Sequence, residues 1–338
     1  MPTAIRTVDL PCTGCGATRD ETIWTGREHE YDNTTDDEFP VVRCQQCGLV
    51  RLNPRPDVSE LSTIYPPNYY AYSLVEEASD AERPGLISRL TQWPKVRMYQ
   101  RRLARVLQDA GATSTVRLLD VGCADGRLLD WYKAGGEGGR LETFGIDINA
   151  DAVAEANRRG HRAVVGRFEA DETLERGSFN VILASHVIEH VDDPKGFAQR
   201  AFDLLVPGGV FVAATPNVDS ADVRLFRGNW GGCHFPRHWT FYDASTIEAL
   251  ATSVGFEVVR IEYEVNPVFW VWSFHSLLRD RLHMPRFADR LFPTVSIFHP
   301  SAQSFVLLSV FTVVDTVLRA VTGRTASMSV TMKRPVSS

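Results

Sequence analysis

Leu118-Leu119-Asp120-Val121-Gly122-Cys123-Ala124-Asp125-Gly126 is the stretch that decides the fold. An apolar strand runs into a glycine turn, and Arg127 to Lys133 opens a helix at once. Glycine lets a backbone approach a ligand without a clash, and a helix's first turn offers free N–H groups. A second apolar run, Leu141 to Ile146, ends in Asp147, where an acid is placed to accept hydrogen bonds from ribose hydroxyls. This is the plan of a parallel sheet that takes an adenosine-containing cofactor at its switch point. The spacing Asp120-x-Gly122-x-x-x-Gly126 is looser than the G-x-G-x-x-G of dinucleotide folds. Asp120 and Asp125 would repel a pyrophosphate and attract a sulfonium and an ammonium.

Working outward, strands and helices alternate as a parallel sheet requires. Strands are predicted at 116–121, 141–146, 162–165, 180–185 and 209–214, and helices at 126–134, 150–159, 195–205 and 245–253. Pro207-Gly208-Gly209 predicts a tight turn before the fifth strand, Gly255 to Val259 opens a sixth, and Met328 to Lys333 alternates as a last strand. Upstream, Pro94 to Ala110 reads as a helix with a basic face (Lys95, Arg97, Arg101, Arg102, Arg105), open to solvent, a diphosphate or a lipid surface.

These residues resemble the class I S-adenosylmethionine-dependent methyltransferases, whose first motif is written D-x-G-x-G-x-G; its middle glycine is Ala124 here. The resemblance implies a Rossmann-like α/β sheet of seven strands, the last one antiparallel. It places S-adenosylmethionine on Asp120, Gly122, Cys123, Gly126, Asp147, Ile148, Phe168, Ser185 and His186. The family often has an acid after the third strand for the adenine amino group. Here Gly166 is followed by Arg167, Phe168 and Glu169, which leaves Phe168 to flank the adenine.

The N-terminus carries a second pattern. Cys12-x-x-Cys15 and Cys44-x-x-Cys47 are each followed by glycine, Gly16 and Gly48. Four thiolates at this spacing suit a tetrahedral zinc ion and leave no open position for a substrate. Residues 17–40 between the pairs read as the hairpin arm of a zinc ribbon, acidic at its tip (Asp32, Asp36, Asp37, Glu38). An RNA-binding zinc protein is the rival reading. The chain's net charge of -6 and the lack of a basic ribbon face argue against it, and no nucleic-acid partner is expected.

Asn53-Pro54-Arg55-Pro56 and the Tyr65, Tyr69, Tyr70, Tyr72 cluster follow. The order of zinc ribbon, Asn-Pro-Arg-Pro, tyrosine-rich segment and methyltransferase core resembles methyltransferases of bacterial sugar and cell-surface polysaccharide pathways. In those relatives the segment after the ribbon covers the substrate. The division predicted is a zinc ribbon at 1–56, a Tyr/Pro-rich segment at 57–93, a core at 94–263 and 326–335, and an insertion at 264–325.

Chemistry is expected just past the fourth strand, at Ser185-His186-Val187-Ile188-Glu189-His190. Methyl transfer to a hydroxyl needs alignment and a base, and a histidine suits that role. The Glu189–His190 pair resembles that of ubiquinone-type O-methyltransferases and of sugar C-methyltransferases. His186, Glu189 and His190 also form a set that could hold a divalent metal. Pro236-Arg237-His238, after the fifth strand, adds His238 as a second base and Arg237 as a partner for a substrate phosphate. A histidine base predicts loss of activity below a pKa of about 6–7. The acceptor expected is a sugar hydroxyl or carbon in a glycan, nucleotide sugar or lipid-linked intermediate, with a quinone or small natural product as the alternative.

The insertion is long for a connection that is usually a short hairpin. It holds Trp270, Trp272 and Phe274, several arginines and an apolar run from Phe305 to Val321 interrupted by Asp315 and Arg319. That run reads as too short to span a bilayer. An interfacial helix on an anionic membrane, a buried cap and a homodimer interface all fit it. No apolar leader follows Met1. The expected location is the cytoplasm, or peripheral attachment to the inner face of the membrane.

Overall fold

The computed structural model describes residues 4–69, 86–111, 115–134, 141–299 and 301–336. The mixed sheet of the core has strands β4 (Val116–Val121), β5 (Leu141–Asp147), β6 (Arg162–Val165), β7 (Phe179–Ser185), β8 (Leu205–Pro216), β10 (Glu257–Glu264) and β11 (Ser327–Lys333). Their order is β10-β11-β8-β7-β4-β5-β6. All pairs are parallel except those of β11, which runs antiparallel to β8 and β10. This is the seven-stranded α/β methyltransferase sheet that the sequence predicts.

Neighbouring residues on the central strands point to opposite faces, and each face has its own core. Leu119, Val121, Ile182 and Phe211 meet Phe197 and Leu204 of α4 (Pro194–Leu204) and Ile247 and Ala251 of α6 (Ala244–Val254). Leu118, Val181, Leu183 and Val212 meet Leu103 and Val106 of α1 (Leu86–Asp109) and Leu129 and Tyr132 of α2 (Arg127–Lys133). Helix starts follow capping chemistry. Asn149 accepts from Asp151 and Ala152 N–H to start α3 (Ala150–Arg158), and Asp243 forms a capping box with Thr246 for α6. The Pro207-Gly208-Gly209 turn is a register shift inside β8 rather than a break before it.

On the basic face of α1, Arg102 pairs with Glu264 (2.9 Å) and Arg105 with Glu262 (2.6 Å). Those two arginines brace the helix to β10 and are not a free diphosphate or lipid site.

The ribbon arm is the antiparallel pair β1 (Asp20–Arg27) and β2 (Glu38–Cys44), followed by β3 (Val50–Leu52). Its sheet is completed by β9 (Thr240–Phe241), which pairs with β3 and belongs to the segment after Pro236-Arg237-His238. The ribbon and the core therefore share one sheet.

A third apolar cluster joins three parts of the chain. Phe39, Val41 and Leu52 of the ribbon meet Trp230, Phe235 and Trp239 of the loop after β8, and Phe269, Val271 and Trp272 of the insertion. The insertion folds as α7 (Pro267–Ser276), α8 (Pro285–Leu291) and α9 (Ala302–Thr322), with α5 (Ala221–Phe226) beneath it. Trp270 and Trp272 are buried, as the cap reading of the insertion expects. Trp270 Nε1 donates to Asp315 (2.7 Å) and Trp272 Nε1 to the Thr294 carbonyl (3.1 Å), so α7 is core. The expectation that the 305–321 run is too short to span is corrected. Asp315 turns inward to Trp270 and leaves α9 a 21-residue helix long and apolar enough to cross a bilayer.

Candidate active site

The cofactor loop is built as the sequence predicts. Gly122 takes φ +75°, and a Cβ there would lie 2.9 Å from Val187 Cγ2, so the turn passes close under the segment after β7. Asp147 fastens the loop: Oδ2 accepts from Ala124 N–H and Oδ1 from Asn149 N–H, both at 2.9 Å. Each carboxylate oxygen retains a lone pair for a ribose hydroxyl. Asp120 is buried at the end of β4. Burial first, and the charge of Asp147 second, push its carboxyl up to about 8. A cation placed beside it would favour its charged form. An acid for ribose, a buried acid for an ammonium or sulfonium, and a close glycine turn fit S-adenosylmethionine.

Other residues of the expected set divide. Ile148 is 65% exposed at the tip of β5, where an apolar side chain can lie on a base. Gly126 starts α2, and Ser185 is exposed at the end of β7. Phe168 does not flank the adenine site: it is buried with its ring 4.9 Å from that of Phe197. Cys123 turns its side chain into the core beside Gly145, leaving only its backbone for the loop. Asp125 is engaged by Arg127 (N–H 3.2 Å, guanidinium 3.0 Å) and so is not free for the cofactor's cation.

Past β7 the chain turns sharply, with His186 at φ +55°. The turn directs Glu189 inward, fully buried, with three histidines about it. His186 Nδ1 lies 3.1 Å from Glu189 Oε1, and His238 Nε2 lies 3.9 Å from the same oxygen. The His190 and His238 ring centres are 4.5 Å apart. His238 Nδ1 donates to the Gly232 carbonyl (2.8 Å), which leaves Nε2 as its lone-pair nitrogen. Tyr65 Oη and the Arg237 carbonyl both reach His190 Nδ1, at 2.9 and 3.1 Å. Glu189 Oε2 is buried without a hydrogen-bond partner among the described residues.

The electrostatics separate the roles. Burial would raise the Glu189 carboxyl, but the hydrogen bond from His186 and the charges of His186 and His190 win and hold it below the usual range. Burial would lower His186, but Glu189 wins and raises it. His190 is pushed down to about 4, by burial first, against the charge of Glu189. His238 lies well below the ordinary histidine range, again through burial. The result is a charged carboxylate beside two neutral imidazoles. Ligand atoms of Glu189, His190 and His238 all lie within 4.8 Å of one another, so this set also suits a divalent cation. His238 joins it where the sequence pointed to His186.

Arg237 does not await a substrate phosphate. It is fully buried and ion-paired with Glu28 of the ribbon arm, over the ring of Tyr31. Three site residues escaped sequence reasoning: Glu28, Glu30 and His234. Glu30 Oε1 lies 2.6 Å from His234 Nδ1, and the His234 ring stacks on Trp272 at 5.3 Å. The run Glu28-His29-Glu30 within the ribbon arm was the only signal. Tyr69 Oη lies 3.3 Å from His234 Nε2, so Tyr65 and Tyr69 both reach the site, while Tyr70 and Tyr72 lie outside the described residues. Phe269 of α7 meets His186 edge-on at 6.3 Å. Ribbon, tyrosine segment and insertion together roof the histidines.

The four ribbon cysteines converge. Sγ atoms are 3.5 Å apart for Cys12 and Cys47, and 3.6 Å for Cys15 and Cys44. Tetrahedral thiolates at the usual zinc–sulfur distance stand about 3.8 Å apart. All four are free thiols, and the cluster is consistent with a zinc site.

Comparison with known proteins places the chain in a family. A family model described as "Methyltransferase domain" matches residues 92–261. A ubiquinone biosynthesis O-methyltransferase from Ruegeria pomeroyi is 30% identical over 178 residues, covering 47% of this chain and 67% of that protein. Another, from Bradyrhizobium sp., is 31% identical over 121 residues, covering 35% and 46%. The chain thus spans about half the length of the Bradyrhizobium relative. Similar solved structures include an Archaeoglobus fulgidus S-adenosylmethionine-dependent methyltransferase (18% identity, TM-score 0.44, 70% of this chain and 94% of that one). Haemonchus contortus phosphoethanolamine N-methyltransferase 2 is another (17% identity, TM-score 0.48, 94% and 68%).

Proposed function

The chain belongs to the methyltransferase-domain family and is an S-adenosylmethionine-dependent methyltransferase, and on that premise we propose that it methylates a sugar hydroxyl or acidic sugar carbon. The acceptor would be a glycan, a nucleotide sugar or a lipid-linked intermediate. The observation that carries the chemistry is the pair of neutral imidazoles, His190 and His238, beside the buried charge of Glu189. Bound S-adenosylmethionine supplies an electrophilic methyl group on sulfur. The chain supplies the base: a ring nitrogen of His190 or His238 takes the acceptor's proton, and Glu189 stabilises the imidazolium that forms. Tyr65 holds His190 in place, and the buried Phe269 and Trp272 pack against His186 and His234.

The sugar acceptor is supported by the order of ribbon, Asn-Pro-Arg-Pro, tyrosine segment and core. A second reading, O-methylation of a phenolic quinone precursor, is favoured by the names of the ubiquinone-pathway relatives. We place zinc in the cysteine cluster and the protein in the cytoplasm, where free thiols persist. The test is transfer of labelled methyl to separate pools of nucleotide sugars, lipid-linked glycans and quinone precursors, with mass identification of the product. Label in the sugar pools that His190→Ala abolishes supports the proposal. Label confined to the phenolic pool moves the assignment to the second reading, and label in neither rejects both.

A further inference from the structure

We propose that α8 and α9 form a surface that seats the protein on an anionic lipid bilayer. The inference does not depend on which acceptor is methylated. Val306, Val310, Val313, Val317 and Val321 are each more than half exposed, as is Phe305 at 73%. At 100° per residue the five valines fall within one arc of less than a quarter-turn. No charge interrupts it: the charged residues of α9 are Asp315, which is buried against Trp270, and Arg319, which reaches the Tyr263 carbonyl. The helix is about 32 Å long at 1.5 Å per residue, so the stripe is a large apolar patch to leave in water.

The stripe continues onto α8. Gln303, on the same side of α9, donates to the carbonyls of Arg290 and Leu291 and so sets the end of α8 beside the start of the valine arc. There Phe287 and Leu291 are about half exposed, at 56% and 48%, and are interleaved with exposed Arg286 and Arg290. Apolar side chains level with arginines match acyl chains beneath anionic headgroups. The rest of the chain opposes this charge. The whole protein carries -6, whereas residues 265–324 hold six arginines and three aspartates.

Crossing the bilayer does not fit, because α9 is fastened along its length. Asp315 holds Trp270 and Asn266, and Phe311 stacks on Trp270 at 5.9 Å. A second copy fits less well than lipid. A parallel pairing of arcs would set the exposed Arg286 and Arg290 of one copy beside those of the other, whereas anionic headgroups neutralise them.

The experiment is flotation of the full-length protein with vesicles of equal phosphatidylglycerol and phosphatidylcholine, against phosphatidylcholine alone. The expected result is flotation with the anionic vesicles only, weakened several-fold by raised salt. Val310→Asp with Val317→Asp should reduce flotation at least about tenfold, and Arg286→Glu with Arg290→Glu should reduce it separately. Circular dichroism and S-adenosylmethionine affinity should be unchanged in both variants, since neither pair touches the cofactor loop. The proposal is overturned if wild type stays behind at low salt, or if it floats equally after the valine substitutions. It is also overturned if the protein elutes as a stable dimer that those substitutions dissolve.

Discussion

Asp120 and His190 make the site's chemistry testable residue by residue. Asp120 is carboxylic acid below about 8 in the free protein. A cationic cofactor prefers the carboxylate, so binding should release a proton and affinity should rise with pH until about 8. The expected slope approaches tenfold in Kd per pH unit, read by calorimetry in buffers of different ionisation enthalpy. No proton release near neutrality would remove Asp120 from the cation's side. Asp147→Ala loses ribose contacts and the loop's tether to Ala124 and Asn149, and should weaken binding by about 1–3 kcal/mol. Unchanged affinity would reject that placement. The sequence predicted a loss of activity below an ordinary histidine pKa. The half-buried His190, pushed down to about 4, changes that. It stays the free base as pH falls through 6–7, so turnover should persist there and decline only toward 4–5. His190→Ala should lower turnover about 10²–10⁴-fold with cofactor affinity retained. A plain limb at 6.5, or near-normal turnover in that variant, would count against His190 as the base. Loss of turnover on chelation that added Mg²⁺ alone restores would favour a metal on Glu189, His190 and His238, since Zn²⁺ would also refill the cysteine cluster.

Among the elements, the decisive join is the ribbon arm's contact with the loop after β8. Arg237 and Glu28 are both buried, and removing one leaves the other's charge without a partner. Arg237→Ala should therefore cost about 3–5 kcal/mol of stability by denaturant melt. Replacing both, as Arg237→Met with Glu28→Leu, should recover much of it. A loss under about 1 kcal/mol for the single variant would show that the pair is hydrated in solution. Sequence reasoning could not see this join. The strands and helices of the core were legible because their apolar periods and caps are local signals, and their bounds agree to within a few residues, except that α1 starts at Leu86, eight residues before the predicted Pro94. The Glu189 cluster was partly legible because β7 ends beside the glycine loop in every parallel sheet of this order. Glu28 and Glu30 lie some two hundred residues from His234 and Arg237, and nothing in one chain's pattern pairs them. Trp270 and Trp272 left membrane, cap and dimer readings open for a related reason: composition shows that a tryptophan must be covered, not what covers it.

At the scale of the molecule, shared sheets and cores set what zinc removal should do. The sequence divided the chain into a ribbon and an independent core, so disrupting Cys44 would spare the core. The structure couples them more tightly. β9, two residues past His238, is a strand of the ribbon's own sheet, and Cys12, Cys44 and Leu49 pack in one cluster with Tyr242 and Ile247. The ribbon also delivers Glu28 to Arg237 and Glu30 to His234, and the Arg237 carbonyl in turn steadies His190. Asp120 and Asp147 stand at the ends of β4 and β5, held by the central sheet itself. Loss of the metal should therefore act unevenly. Stripping zinc from the purified protein, or Cys44→Ser, should lower turnover by at least about tenfold, through misplaced His190 and His238. Cofactor affinity should change by less than about threefold, because the glycine loop rests on β4 and β5. Elemental analysis, calorimetry with S-adenosylmethionine and turnover on the same samples separate the two effects. Equal loss of binding and turnover would mean that the ribbon supports the whole sheet. Full turnover in verified zinc-free protein would mean that the arm holds Glu28 and Glu30 in place without a metal at its base.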